Sequence, residues 1–239
     1  MGLTRKLIFS CLTAGVLSLG FAAPARADLM LLGPTELTGQ GIGAVLTVLT
    51  LQNGSPTTES AYVGFVDGSF QPVGDFSPGA PKNQTFTYAQ AGAANASQLA
   101  LIVNLAEPGS ENPPSVTATN TGAVSPLANS ITLNVWSPSG TLLQSHSLAS
   151  GTVLDQIASG VGGSGLVFGL TPGEATQVNS LGPNVVFSVG ATFSNAQGGN
   201  DTIQATALTP TAVPEPASLS MLGIGLLGLV RVARGRFNA

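Results

Sequence analysis

Short apolar segments, each separated from the next by turn residues, most constrain the fold of this 239-residue chain. In the segment 99–105, apolar side chains alternate with their neighbours, so Leu99, Leu101 and Val103 fall on one face of an extended strand. The segments that we predict as strands are residues 44–51, 61–66, 85–88, 99–105, 131–135, 141–148, 185–193 and 203–207. The pattern therefore predicts a fold built mainly from β-strands.

Turn residues between these segments predict how neighbouring strands pair. The four residues 137–140, Ser-Pro-Ser-Gly, favour a hairpin between 131–135 and 141–148. The four residues 197–200, Gln-Gly-Gly-Asn, likewise favour a hairpin between 185–193 and 203–207. About nine short strands with such turns predict an antiparallel β-sandwich, of immunoglobulin-like or jelly-roll-like type.

One short helix is predicted within this β-rich region. Thr171 and Glu174 have the spacing of a capping box, and Pro172 suits the first helical position. Gly182, followed by a proline, ends the helix. The glycine- and proline-rich stretch 67–82 is predicted to be a loop, with Asp67 in a turn.

Residues 1–27 have the organisation of a secretory signal peptide, which forms an apolar helix. Two basic residues near the start precede an apolar run over 7–21, and small residues, Ala25 and Ala27, mark the cleavage site. Cleavage there makes Asp28 the new amino terminus. The only cysteine, Cys11, lies in the segment to be removed, so we expect a mature protein without disulfides or thiolate chemistry.

The charge of the region between the two ends argues against a nucleic-acid-binding function. Residues 28–213 contain ten acidic residues and one basic residue, Lys82. Binding to a phosphate backbone requires several lysines or arginines, so a nucleic-acid partner is not expected. The neutral polar residues Ser, Thr, Asn, Gln and Gly must hydrate most of the surface.

The last 27 residues combine three features in a fixed order. Val213 is followed by the triplet Pro214-Glu215-Pro216, which cannot continue a helix or strand because proline lacks an amide hydrogen. Residues 217–233 form an apolar run, interrupted by one arginine, that as a helix extends about 25 Å and can cross a bilayer core. A scattered basic end completes the segment: Arg231, Arg234 and Arg236. These arginines favour a cytoplasmic end.

This combination resembles the PEP-CTERM sorting tail of exported bacterial proteins. The resemblance implies that a membrane-embedded exosortase processes the chain near the triplet, after export through the secretion translocon. It also implies a cell surface or an extracellular matrix of exopolysaccharide as the destination. The predicted organisation is a signal peptide (1–27), an exported β-sandwich body (28–208), a linker with the motif (209–216), a transmembrane helix (217–233) and a basic tail (234–239).

Side chains with catalytic or binding chemistry are sparse. His146 lies on a predicted strand without a nucleophile elbow around any serine, so the sequence predicts no catalytic site. Residues 198–201, Gly-Gly-Asn-Asp, occur once and are better explained as a turn than as a calcium loop, so no metal or cofactor is predicted. Glu107 and Glu111 lie in a proline-rich stretch that favours solvation.

Three functions remain as hypotheses from the sequence. The leading one is a non-enzymatic structural or interaction protein of the cell surface or matrix. The second is a glycan-binding module that stacks sugar rings on Trp136 or Tyr62. The third is a secreted hydrolase that uses His146.

Overall fold

The structure is a computed structural model that describes residues 28–35, 45–52, 58–78, 82–106, 115–155, 165–197 and 199–208. Within these ranges the chain is mainly β. The strands are β1 (Leu29–Thr35), β2 (Leu46–Leu51), β3 (Thr58–Val66), β4 (Ser69–Gly74), β5 (Leu99–Asn104), β6 (Ser115–Ala118), β7 (Ile131–Trp136), β8 (Leu142–Ser147), β9 (Thr152–Asp155), β10 (Gly165–Leu170), β11 (Val186–Ser194) and β12 (Asp201–Ala207). The α-helices are α1 (Tyr88–Ala91) and α2 (Pro172–Ser180), and short 3₁₀ helices cover Ala96–Gln98 and Pro126–Ala128.

These strands form two sheets, in which every described strand pair is antiparallel. The five-stranded sheet has the order β1-β10-β5-β12-β2. The seven-stranded sheet has the order β4-β3-β11-β6-β9, and β7 also pairs with β11 and carries β8 at its other edge. The predicted antiparallel sheets are therefore confirmed, whereas the immunoglobulin-like or jelly-roll-like topology stays a prediction.

One hydrophobic core lies between the two sheets. The five-stranded sheet contributes residues such as Leu101 and Ile203, and the seven-stranded sheet contributes Leu133 and Phe187. These side chains alternate along their strands, because successive residues of a strand point to opposite faces. The alternation that predicted β5, β7 and β11 thus reports the inner face of each sheet correctly.

The helix and one hairpin agree with their sequence signals. Thr171 caps α2, and its hydroxyl accepts the Glu174 amide at 3.4 Å. Only this half of the capping box forms, since the Thr171 amide donates to the Asp28 carbonyl and the Glu174 carboxylate accepts from Gln177. The hairpin of β7 and β8 is confirmed, with a closing hydrogen bond from the Ser137 amide to the Thr141 carbonyl.

The predicted hairpin between 185–193 and 203–207 is wrong. Both segments are strands, but β11 belongs to the seven-stranded sheet and β12 to the five-stranded sheet. Strand β12 pairs with β5 and β2, and β11 pairs with β3, β6 and β7. Alternation locates an amphipathic strand but contains no information about its partner, so the turn residues here mark a change of layer.

Two further local predictions are corrected. Residues 85–88 are not a strand: Phe86 makes one isolated bridge with Phe187, and α1 begins at Tyr88 behind a capping box of Thr87 and Gln90. Residues 69–74 are not a loop but strand β4. The predicted Asp67 turn is confirmed, since Asp67 and Gly68 both have positive φ, as a tight hairpin turn requires.

The signal segment, the motif, the apolar run and the basic tail lie outside the described residues. Among the residues that are described, no helix is long and apolar enough to span a membrane.

Candidate functional site

The predicted stacking residue Trp136 is enclosed by the protein. It lies on β7, where Leu133 and Val135 face the core, and its ring is 5% exposed. Its indole Nε1 donates to the Ser188 hydroxyl at 2.8 Å, and its ring packs edge-on against Phe70. The buried indole hydrogen bond fixes the ring within the fold, so Trp136 does not offer a stacking surface for sugar.

Residues 124–129 explain why the outer faces of β3, β7 and β11 are buried. This segment, which we call the covering segment, lies across the side of these three strands that points away from the core. Gly190 permits this contact, because a Cβ there would lie 2.1 Å from the Leu127 carbonyl oxygen. On the same face, the ring of Tyr62 occupies the space over Gly64, and Tyr62 stays partly exposed.

A chain of hydrogen bonds joins the covering segment to the sheet. The Val124 amide donates to the Ser60 hydroxyl at 2.9 Å, and Ser60 and Thr192 share a hydrogen bond of 2.7 Å. The Thr192 hydroxyl then donates to the Ala128 carbonyl at 2.7 Å. Ser60, Thr192 and Ala128 are all buried, so each polar atom in this series of hydrogen bonds is satisfied without water.

The amide of Asn134 extends the same network towards β8. Its Nδ2 donates to the Leu127 carbonyl at 3.0 Å, and its Oδ1 accepts from Ser145 at 2.7 Å. Nearby, the hydroxyls of Thr132 and Ser147 are 2.9 Å apart. The polar residues that alternate with the core residues of β7 and β8 therefore attach the covering segment to the sheet. In the sequence, only the alternation itself indicated them.

The outer face of the five-stranded sheet is polar in a different way. Thr202 stands opposite Asn104 on one side and opposite Thr50 on the other. The side-chain oxygens of Thr50, Asn104, Thr202 and Gln204 are buried but have no hydrogen-bond partner among the described residues. The sequence pattern did not indicate these residues, because isolated Thr, Asn and Gln are frequent throughout the chain.

His146 is buried at the end of β8 and contacts the predicted mature amino terminus. The imidazole is 4% exposed, its Nε2 lies 3.1 Å from Gln144 Oε1, and its Nδ1 lies 3.7 Å from an Asp28 carboxylate oxygen. Burial lowers the pKa of His146, and the negative charges of Asp28 and Glu174 oppose that effect. The Asp28 amide also donates to the Ser147 carbonyl at 3.0 Å, so this contact fastens the start of β1 to β8.

Acidic residues do not assemble into a metal centre in the described part of the chain. No group of three or more His, Cys, Asp or Glu side chains there could hold a metal ion. Asp201, which belongs to the faint calcium-like sequence, is buried and accepts the Ala106 amide at 2.7 Å. Glu107, Glu111 and the predicted processing residues lie outside the described ranges.

The tail, by contrast, is matched by a known family. Residues 212–236 match the family model of the PEP-CTERM protein-sorting motif. The chain carries a PEP-CTERM sorting motif. The resemblance predicted from the Pro-Glu-Pro triplet, the apolar run and the basic end is confirmed. The motif indicates an exported protein that an exosortase processes, with a membrane-anchored intermediate on the way to the surface. No curated protein and no solved structure matches the chain.

Proposed function

We propose that this PEP-CTERM protein is a non-enzymatic structural or interaction component of the cell surface or extracellular matrix. The observation that carries the proposal is the sorting motif at 212–236, which specifies a destination and a processing enzyme. The described body supports the same interpretation, since its polar side chains mostly connect parts of the fold to one another. Its surface is almost free of basic charge, which suits a polysaccharide-rich exterior.

The proposed pathway has three steps. The translocon exports the chain and the segment 1–27 is removed after Ala27. The apolar run 217–233 then holds the chain in the membrane, with Arg231, Arg234 and Arg236 on the cytoplasmic side. Cleavage near Pro214-Glu215-Pro216 finally releases the body to the surface, where exopolysaccharide is a candidate partner.

A Glu215→Ala variant tests this pathway. We expect the wild-type chain to lose its tail and to leave the membrane, and we expect Glu215→Ala to stay membrane-bound with the tail attached. The matched control is Asp155→Ala, which removes an exposed carboxylate from β9 without touching the motif. Processing of Glu215→Ala at the wild-type rate and to the same location would contradict the proposal.

A glycan-binding function is the second candidate, and Tyr62 is the residue that carries it. Its ring lies over Gly64, and the residue is partly exposed. Retention of the protein on matrix polysaccharide, lost in Tyr62→Ala but kept in Trp136→Phe, would support this function. Absence of retention for the wild-type protein on every matrix polysaccharide would count against it.

A hydrolase built on His146 receives no support from the site. The imidazole is enclosed, and Gln144 and the Asp28 carboxylate occupy the surroundings of its two nitrogens. A general base must reach the proton of its substrate or nucleophile, and no described serine hydroxyl contacts either ring nitrogen.

A further inference from the structure

The two ends of the described body lie at the same end of the five-stranded sheet. Met30 pairs with Gly169, Gly169 with Ala100, and Ala100 with Thr206, so these four residues form one row across the sheet. Met30 is near the start of β1, and Thr206 is near the end of β12. Three strand spacings separate them, which is about 14 Å. Both segments that are predicted to enter the membrane therefore leave the body from one end.

Short helices cover this end of the sheet. The 3₁₀ helix Ala96–Gln98 leads directly into β5, and α2 follows β10. The Ala96 amide donates to Asn179 Oδ1 at 2.8 Å, which joins the two helices, and the Leu208 amide donates to the Gln98 carbonyl at 2.6 Å. We call residues 88–98 and 172–180 together the helical cap.

The length of the chain after Leu208 keeps the sorting motif close to the helical cap. Pro214 comes six positions after Leu208, and even fully extended this stretch reaches only about 20 Å. The strands of the five-stranded sheet are about as long, since seven residues extend about 23 Å. A body held by this linker cannot easily turn its opposite end towards the membrane.

The chemistry of this end suits a lipid surface. The helical cap contains one charged residue, Glu174, and the partly exposed Asp28 precedes β1 at the same end, whereas residues 28–213 contain ten acidic residues in all. Repulsion from anionic headgroups is therefore modest here. Beside it, Met30, Leu31 and Leu32 of the edge strand β1 are 40%, 49% and 40% exposed, although neighbouring Leu29 is buried. Three consecutive exposed apolar side chains are unfavourable in water and favourable at a bilayer interface.

We propose that the helical cap and Met30–Leu32 form the surface by which the body rests on the bilayer before the tail is processed. The occupant is the lipid headgroup region of the membrane that holds residues 217–233. This inference rests on the proposed function, because it requires a membrane-held intermediate. It adds an orientation: the body presents its helical end, and not the end that carries loop 119–122, to the membrane and to the processing enzyme.

The loop 119–122 marks the opposite end and provides a control. A Cβ on Gly122 would lie 3.0 Å from the Thr58 side chain, at the start of β3. Asp75 connects this region to the far end of the five-stranded sheet. Its amide donates to the Ser60 carbonyl in β3, and its carbonyl accepts from the amide of Gln52, which directly follows β2. Thr121 is exposed in this loop, at the end of the sheets away from the helical cap.

Depth-dependent fluorescence quenching tests the orientation. Because Cys11 is the only cysteine, a Cys11→Ser background gives each variant a single thiol. The membrane-held chain, with its tail verified by mass, is labelled with an environment-sensitive dye at Ser180→Cys, Leu31→Cys or Thr121→Cys. Each variant is then reconstituted in vesicles of phosphatidylcholine and phosphatidylglycerol that contain a lipid with a spin label in its headgroup.

We expect quenching several-fold stronger at positions 180 and 31 than at position 121. Equal quenching at the three positions, or stronger quenching at 121, overturns the proposed orientation. Ala89→Cys and Asn120→Cys form a second pair for the case that a variant fails to fold. Processing is measured separately, by the mass of protein recovered from producing cells. If the cells never remove the tail but the reconstituted chain shows the expected quenching, only the proposed function is contradicted. If the cells remove the tail but quenching is equal at all positions, only the orientation is contradicted.

Discussion

The outer faces of the two sheets carry similar residues but use them differently. On the seven-stranded sheet, the hydroxyls of Ser60 and Thr192 belong to a continuous set of hydrogen bonds that ends at the Ala128 carbonyl. On the five-stranded sheet, the side-chain oxygens of Thr50, Asn104 and Thr202 have no partner among the described residues. The same residue types thus attach a loop in one region and remain unpaired within the described fold in the other.

This difference has an energetic consequence. Removing one partner of a buried hydrogen bond leaves the other partner unsatisfied, which costs more than the bond itself contributes. Removing a polar atom that has no partner relieves a desolvation penalty instead. Identical substitutions on the two faces should therefore change the free energy of unfolding by different amounts, and even with different signs.

The largest effect is expected where the covering segment touches the seven-stranded sheet. Gly190→Ala places a methyl group 2.1 Å from the Leu127 carbonyl and 2.9 Å from the Ala128 Cα, both of which are backbone. We expect a loss of about 3 kcal/mol in the free energy of unfolding, measured by denaturant titration. In the control Gly173→Ala, the new methyl group meets no atom within 4 Å and lies in α2, so stability should stay equal or rise slightly. An unchanged free energy of unfolding in Gly190→Ala would show that the covering segment does not lie on this face.

A matched pair of threonine substitutions tests the comparison itself. Thr192 and Thr50 are both 0% exposed, and valine has nearly the shape of threonine. Thr192→Val leaves Ser60 and the Ala128 carbonyl without their partner, so we expect a loss of about 1–3 kcal/mol. Thr50→Val keeps its backbone hydrogen bonds to Asn83 and Ser77 and should be neutral or stabilising.

Equal losses of stability for Thr192→Val and Thr50→Val would contradict the difference between the two faces. They would mean that Thr50 has a partner of equivalent strength that lies outside the described residues. Chemical denaturation of both variants under one condition, with unchanged m-values, distinguishes the two outcomes.

The dependence of stability on pH tests the burial of the Tyr88 hydroxyl. Its hydroxyl is buried without a partner among the described residues, and burial raises its pKa from 10.0 to about 12. The folded state therefore holds its proton more tightly than the unfolded state, and this stabilisation is present below pH 10 and is lost as the pH rises to about 12. Tyr88→Phe should be close to neutral at pH 7 and should lose less stability than wild type between pH 10 and 12. Identical alkaline curves for the two proteins would contradict the burial of this hydroxyl.

The smallest expected effect concerns His146. Burial lowers its pKa below the ordinary 6.5, so the unfolded state binds a proton more readily than the folded state. Stability contributed by the neutral imidazole is therefore lost as the pH falls from about 6.5 through the folded-state pKa. His146→Gln should flatten this part of the stability curve, and Asp28→Asn, which removes an opposing charge, should steepen it. A stability that rises on acidification in this range would contradict the direction of the shift.

The sequence predicted the parts of this protein that depend on local chemistry. Alternation located β5, β7 and β11, Thr171 and Pro172 located α2, and the Asp67 turn was correctly placed. The assignment of β12 to the other sheet could not be predicted, because strand pairing depends on contacts between distant segments. Strand β4 was missed for another reason: its glycine and proline suggest a loop, whereas at an edge strand both residues are tolerated.

The functional residues also divide into those that a local sequence signal reveals and those that only the fold reveals. The motif around Pro214-Glu215-Pro216 is recognised without any fold, because it is a linear signal. Trp136 was predicted as a candidate platform and is instead buried, since nothing in the sequence indicates that Phe70 packs against its ring or that Ser188 accepts from its indole nitrogen. The contact of His146 with Asp28 joins residues from β8 and from the start of β1, which only the fold brings together.

We expect this chain to be exported and to lose its sorting tail, and an intact mass is the sharpest test of both steps. The protein is recovered from the surface and from the medium of the producing cells, and its mass is measured without digestion. We expect a chain that starts at Asp28 and ends near Pro214-Glu215-Pro216, with or without added sugar or lipid. A mass that still includes the residues from Arg231 to Ala239 would contradict it, and the body would then be a permanently membrane-anchored protein.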